Sequence, residues 1–476
     1  MLTRLKTHLS HFLRIRPEDQ VPQSVAREFK HNVIFNTLDV TFFVFADAFV
    51  NLSTIMTVFT ATLTNSPFII GLVPAILWTS WYLPQLFFSG IVSRQKMKLP
   101  FTLKMGVVER VPYMFMPVLA LLIPHISKQM AITLLLGLMV WRGLGGGFSA
   151  LPWQELMASV IPLSHRGRFW GVSRVFVQMA GVVGSLVATL VLGRFFYPYN
   201  YAIAFTIAII AQWISFLMIS KTREPEPENW QQPDPQQKAL DFEKFRHILR
   251  TDKNFVLYMA ARSISFVGAT ATSFLAVYGI RRFGLGDNQA AIFTGIIFFT
   301  GIFSYALLGG LTDRIGPKRI LVLGFISLAL SLVITLLAPS IWYFYLVFVL
   351  QGVYGAAVNM GDMMLVMELG EEKLRPTYLG LARTLTGIVL VFVSTTSGLV
   401  VEKLGYVFMF LLAAVSTLIA ILLFWMVKDR PRVNLKRLKA RMAEQAAQAN
   451  TLPEAVTEAE RLAALDAQAA ENSQAR

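Results

Sequence analysis

The chain is written in long apolar blocks separated by short polar punctuation. Neither the stripe of a soluble amphipathic helix nor strict two-residue alternation organises it. About twelve blocks reach the roughly 20 residues that carry a helix across hydrocarbon. They run 34–62, 67–92, 101–123, 129–158, 169–193, 199–220, 254–280, 287–312, 319–338, 341–368, 377–402 and 405–427. Six precede a polar interruption at 221–253, which carries Pro225, Pro227, Pro233 and Pro235, and six follow it. The pattern predicts an all-α polytopic membrane protein with two six-helix bundles, 34–220 and 254–427. The linker 221–253 joins them, and its second part, Phe242 to Phe255, is basic and amphipathic. Residues 1–33 form a basic amino-terminal segment. Leu2, Leu5, Leu9, Phe12 and Leu13 recur near helical spacing there, so it reads as an interfacial helix or as a solvated tail. Residues 428–476, rich in Ala, Gln, Glu and Arg, read as a cytosolic tail, part helical and part disordered.

Loop charges orient the blocks. The odd-numbered connections carry few positive residues: none at 64–67, then Lys128, Arg194, Arg281 with Arg282, none around Pro339, and Lys403. The even-numbered ones carry Arg94, Lys96 and Lys98, then Arg166 and Arg168, then Arg314, Lys318 and Arg319. The positive-inside rule puts both termini in the cytoplasm and the chain in the cell's inner (plasma) membrane. Composition agrees: 55% of residues are hydrophobic, 15% are charged and mean hydropathy is +0.56. The net charge of +15 sits in loops and tails, which points to an anionic leaflet rather than to nucleic acid. The absence of cysteine excludes disulfides and thiolate metal sites. Met1 to Arg16 lacks the apolar core of a cleavable signal, so the first block serves for insertion.

One turn carries more information. Gly309-Gly310-Leu311-Thr312-Asp313-Arg314-Ile315-Gly316-Pro317-Lys318-Arg319 lies between two apolar blocks. It resembles the signature loop of the major facilitator superfamily, G-x-L-a-D-r-x-G-r-k. Gly309, Leu311, Asp313, Arg314, Gly316, Lys318 and Arg319 fit that pattern, and Pro317 departs from it. The halves also repeat one another. Arg166, Phe169, Gly171 and Arg174 match Arg375, Tyr378, Gly380 and Arg383, and Arg142-Gly143 with Gly146 matches Gln351-Gly352 with Gly355. The resemblance implies two bundles of parallel topology with a substrate path between them near the midplane. The first half's counterpart loop, Ser89 to Lys98, is degenerate: Ser93 stands where the family has Asp, so an asymmetric inner gate is expected.

Ionisable residues inside a span are costly and lean functional. A rise of about 1.5 Å per residue puts Asp47 near the middle of the first block and Arg142 near the middle of the fourth. Proton-coupled members of the family often carry an acid and an arginine in these spans, and the resemblance implies that Asp47 and Arg142 couple proton to substrate. A static ion pair is the alternative. Arg142 adjoins Gly143, with Met139 at the family's usual arginine position. Gly181-Val182-Val183-Gly184-Ser185 lacks the proline of the antiporter motif, so Gly181, Gly184 and Ser185 read as close-packing residues. A second cluster, Asp39, Glu109, Arg110 and Glu155, falls in the inner third of its spans, with Arg262 and Asp362 at similar depth in the other half. These read as an inner gate, a proton route or mutually neutralising pairs. Asp313 is expected to approach the amino-terminal end of the fifth span, where Arg168 and Arg174 stand, and to hold the inner face shut. Arg383 belongs to the same inner group by the repeat. Asn51, Trp141, Gln351, Tyr354 and Asn359 are further candidates on path-lining spans.

A secondary active transporter of a small organic solute is therefore expected, proton-coupled, monomeric and working by alternating access, with a multidrug or lipophile exporter as the alternative. A membrane enzyme acting on lipid would need a partnered histidine, and His31, His125 and His165 are scattered on loops. A transport-dead sensor would need a signalling domain that the Ala-rich tail does not offer. No cofactor and no metal are expected, since no phosphate-binding loop or ligand cluster stands out. The glycine run Gly143 to Gly147 lies inside a span and reads as helix flexibility.

Overall fold

The structure, a computed structural model, describes residues 21–227, 242–369 and 374–428; inside these ranges a few side chains, Asp313 among them, are not described. The outer part of the amino-terminal segment, most of the linker and the tail 429–476 lie outside the described residues. The first seven helices are α1 (Gln23–Asp47), α2 (Ile55–Leu63), α3 (Pro67–Ser93), α4 (Leu99–Leu122), α5 (Lys128–Val160), α6 (Leu163–Arg194) and α7 (Tyr199–Ile219). Then come α8 (Phe242–Thr251), α9 (Lys253–Phe283), α10 (Asn288–Ile315), α11 (Pro317–Leu337), α12 (Ile341–Leu369) and α13 (Arg375–Met426). No strand occurs among the described residues, and nine of their helical segments are long and apolar enough to cross a membrane. This is a multi-pass α-helical membrane protein.

Packing repeats with the sequence. In the first half α1 packs on α6 and α7, α3 on α5, and α4 on α5 and α7. In the second, α9 packs on α13, α10 on α12, and α11 on α12 and α13. The most extensive pairings between the halves are α6 with α10 and α3 with α13, and α2 adds smaller contacts to α9 and α10.

Two expectations about boundaries need correction. The first block is not one helix but two, because α1 ends at Asp47 and α2 begins only at Ile55. The interruption is buried: Ala48, Phe49 and Val50 have no exposure. Irregular backbone at membrane depth survives only where protein satisfies it. Here the Asn51 Oδ1 accepts from the Ser53 amide at 3.2 Å and the Thr54 hydroxyl at 3.0 Å, and the Asn51 carbonyl accepts from the Met56 amide at 2.9 Å. Second, α1 starts at Gln23, so the end of the amino-terminal segment is continuous with the span. Between the last two blocks α13 is broken at Gly405, whose φ of 85° and ψ of 168° are non-helical and open to glycine without strain, so α13 comprises two helical segments.

The glycine run also differs from its reading as a flexible stretch. A Cβ on Gly143 would stand 2.5 Å from the Ser80 Cβ and 2.7 Å from the Leu77 carbonyl oxygen of α3. On Gly145 it would stand 2.6 Å from the Glu109 Cα of α4, and on Gly147 2.5 Å from the Trp81 carbonyl oxygen. The run is a packing surface that lets α5 touch α3 and α4 at once, as small residues do between membrane helices. Its repeat partner behaves alike, since a Cβ on Gly352 would stand 2.8 Å from the Ile297 carbonyl oxygen of α10.

Gly143→Ala and Gly352→Ala should each lower thermal stability in detergent by about 1–3 kcal/mol, the usual cost of overpacking. Gly137→Ala, where a Cβ would meet nothing within 4 Å, should leave the melting temperature unchanged. Equal behaviour of the three variants would contradict the packing reading.

Candidate functional site

The break in the first span sets up the midplane chemistry. Asp47 is the last residue of α1, and Arg142 Nη2 reaches its Oδ1 at 3.4 Å from α5. The guanidinium lies over the Tyr113 ring of α4 at 4.7 Å. The Asp47 side chain keeps 33% of its surface accessible against 11% for Arg142, so the carboxylate faces free space while the guanidinium is packed in protein. Arg142 Nη1 is buried with no hydrogen-bond partner. Asn51 stands beside Asp47 as a second polar neighbour. Trp141 does not join them: it lies on the outer apolar face against Phe115, with ring centroids 6.1 Å apart. Tyr113 is the partner that span depth alone did not single out, although it lies on a span at matching depth.

On the inner side, the face of the even-numbered connections, Asp39, Glu109 and Arg110 come together. Arg110 Nη2 stands 3.9 Å from Asp39 and its Nη1 3.9 Å from Glu109. Its hydrogen bonds go elsewhere, to the Gln212 carbonyl at 2.9 Å, the Gly106 carbonyl at 3.2 Å and the Ser215 hydroxyl at 2.9 Å. Ser215 donates to Asp39 at 2.6 Å, and Ser149 donates to Glu109. Glu155 is not part of this group; it pairs with Lys98 at 3.0 Å near the inner surface. A cavity of about 310 Å³ opens beside the trio, walled by α1, α3, α4, α5, α6 and α7. The second half holds a tighter counterpart. Arg262 Nε lies 3.1 Å from Asp362, Tyr258 donates to Asp362 at 2.7 Å, and Tyr354 adjoins Arg262. Gln351 is turned away, donating to Ser331 of α11 at 2.7 Å.

Across the inner side, Arg174 donates to Asn359 at 2.9 Å and lies over Tyr305 at 5.1 Å, while Arg383 reaches Gln154 at 3.4 Å. Arg168, Arg314 and Arg319 are exposed. Gly316 turns α10 into α11 with a φ of 102°, and Gly309 packs toward Met360. Lys318 donates to the Trp425 carbonyl at 3.1 Å, tying the signature turn to the end of α13. The expected approach of Asp313 to Arg168 and Arg174 lies outside the described side chains.

The outer side carries a latch that sequence reasoning missed. Glu402, within α13, accepts from the Ser66 hydroxyl at 2.6 Å and the Phe68 amide at 3.1 Å. Ser66 is the N-cap of α3 and accepts from the Ile69 amide, so the carboxylate sits on a helix amino terminus. Nearby, Tyr201 donates to Asp287 at 3.0 Å. Burial pushes the Asp287 carboxyl above its ordinary value, with the Tyr201 hydrogen bond opposing. Deeper, the Thr54 and Thr294 hydroxyls bond directly between the halves. An acidic residue at an outer span end was the available signal for Glu402.

Comparison with known proteins agrees with this architecture. The family model of the Major Facilitator Superfamily matches residues 40–310 and 283–464. A cis,cis-muconate transport protein of Acinetobacter baylyi is 24% identical over 200 residues, 40% of this chain and 47% of that protein, so the match spans about half of the relative's length. The inward-open structure of the xylose transporter XylE from E. coli superposes with a TM-score of 0.63 at 15% identity, over 87% of this chain and 99% of that one. A POT family transporter in complex with a thioalcohol-conjugated peptide gives a TM-score of 0.66 at 11% identity, over 84% and 97%.

Glu402→Gln should weaken the outer latch. A charge-assisted contact of about 1.5–3 kcal/mol shifts the opening equilibrium about tenfold or more. The cysteine-free chain makes this readable: Thr294→Cys, buried at its contact with Thr54 between the halves, should label faster with a membrane-impermeant maleimide when Glu402 is replaced. Unchanged labelling would remove the latch role.

Proposed function

Because this chain belongs to the major facilitator superfamily, we propose that it is a secondary active transporter carrying a small organic solute by alternating access, with Asp47 and Arg142 as its proton-coupling pair. The observation that carries this is the pair itself: a carboxylate with accessible surface, at the broken end of a span, facing an arginine with one unpartnered nitrogen. The named relatives handle a dicarboxylate, a sugar and a peptide conjugate, all organic solutes.

Ionised Asp47 holds Arg142 Nη2, and protonation weakens that hold. The guanidinium, with Nη1 already lacking an acceptor, then turns toward a substrate oxygen. Because the ionised carboxylate and the substrate compete for the same donor, proton and substrate each raise the other's affinity by the same factor. The halves 34–220 and 254–427 rock against one another. Asp313 with Arg168 and Arg174 closes the inner face when the outer face opens, and the latch at Glu402 does the reverse. Both termini lie in the cytoplasm, the protein sits in the inner membrane as a monomer, and it has no catalytic role.

Protein reconstituted in vesicles and given an inward proton gradient should accumulate its solute, with xylose, muconate and dipeptides as first probes. Asp47→Asn should abolish gradient-driven accumulation, at least about tenfold, as an essential intramembrane carboxylate does, while solute exchange at equal concentrations persists. Accumulation that survives in Asp47→Asn would end the coupling assignment.

A further inference from the structure

The inner cavity of about 310 Å³ is lined by first-half residues, and neither Asp47 nor Arg142 is among them. Its volume lies in the range of small-ligand sites. Its walls combine Trp81, Trp153 and Trp170 with the carboxylates of Asp39 and Glu109. Asp39 and Arg110 are 4% and 5% exposed, so the charge is built into the protein and not into its surface.

The charges do not balance. Two carboxylates share one guanidinium, and that guanidinium approaches each only to 3.9 Å while giving its hydrogen bonds to Gln212, Gly106 and Ser215. Arg174 also borders the cavity but is directed to Asn359 and Tyr305 of the other half. Around Asp39 and Glu109, on the side away from those two contacts of Arg174, negative charge therefore exceeds the positive charge that Arg110 supplies. Such a charge calls for a cation or a proton. Tryptophan faces supply the second half of the recognition, because they attract a cation too bulky or too weakly hydrated to be held by a carboxylate alone. Gly146 lets Trp81 and Glu109 lie close together against bare backbone, since a Cβ there would stand 2.8 Å from the indole and 3.4 Å from the carboxylate.

We propose that this first-half cavity binds a compact organic monocation bearing an aromatic or quaternary ammonium group, with Asp39 and Glu109 as its charge partners and the tryptophans as its walls. The site is separate from the Asp47–Arg142 pair and stands whether or not that pair couples protons.

Equilibrium binding to the purified full-length protein tests this without any transport step. Benzyltrimethylammonium, followed by tryptophan fluorescence and isothermal titration, should bind, and muconate should not compete for the same site. Glu109→Gln should lower that affinity about tenfold or more, the effect of removing a unit charge at contact distance from a partly desolvated site. Glu109→Asp should restore most of it. Asp39→Asn offers an independent route if the Glu109 variant folds poorly by size-exclusion chromatography. Affinity unchanged in both carboxylate variants, or equal binding of muconate in this cavity, would overturn the assignment. The first outcome would leave a proton as the occupant of the excess charge. A protein that binds the cation but moves no solute in vesicles would refute the transport reading and leave this one intact.

Discussion

Hydrocarbon offers no water to a charge, so every ionised group placed in the slab has to be answered by another group of the protein. That constraint explains the layout of this molecule more fully than its apolar bulk does. Arg142 is answered by Asp47 and the Tyr113 ring, Arg110 by Asp39, Glu109 and two aromatic faces, and Arg262 by Asp362 and Phe266. Each set draws on more than one helix. The charges are therefore ties between spans that would otherwise touch only through side chains no more apolar than the surrounding lipid. Arg142 meets the Tyr113 ring because α5 comes close to α4 along the glycine run from Gly143 to Gly147.

The same constraint governs the broken first span. Stopping α1 at Asp47 places a carboxylate at the negative end of a helix, which disfavours it. Arg142 offsets this, and Asn51 turns the freed backbone back into α2. A continuous helix would have satisfied its own amides but would have no seven-residue stretch of irregular backbone, from Ala48 to Thr54, folded into the centre of the protein.

The duplication and the depth match of Asp47 with Arg142 were legible in the sequence, because each depends on one-dimensional quantities: offset and rise per residue. Direction around a helix was harder. Trp141 and Arg142 are neighbours in sequence and so point about 100° apart, and only one of them can face Asp47. Glu155 sits at the right depth for the inner trio but turns to Lys98. The break at 48–54 left no mark because it contains neither proline nor glycine; a side-chain amide and a threonine hold it, and such capping is invisible until the third dimension is known.

A division of labour between kinds of contact separates the halves from their interface. The ion pairs described above each lie within one half. The polar contacts that cross between halves pair a charge with a dipole or two neutral groups: Glu402 with a hydroxyl and an amide, Arg174 with Asn359, Arg383 with Gln154, and Thr54 with Thr294. An ion pair broken inside the slab strands two charges, whereas an ion–dipole contact broken at an edge leaves one charge that water can reach. The first half adds a brace of its own where its signature turn lacks an acid. Glu224 accepts from the Lys98 and Leu99 amides at 2.8 and 2.7 Å, and Glu226 pairs with Lys96 at 3.0 Å. The strand of chain that carries them is pinned to α1 through Asn32 and Arg223, and the Arg223 guanidinium in turn holds the Glu28 carboxyl below its ordinary value. The missing acid is thus replaced from within the same half and not from across the interface. This arrangement keeps each bundle stiff through contacts that are costly to lose, and confines the reversible contacts to the seam where two bundles must part and meet again.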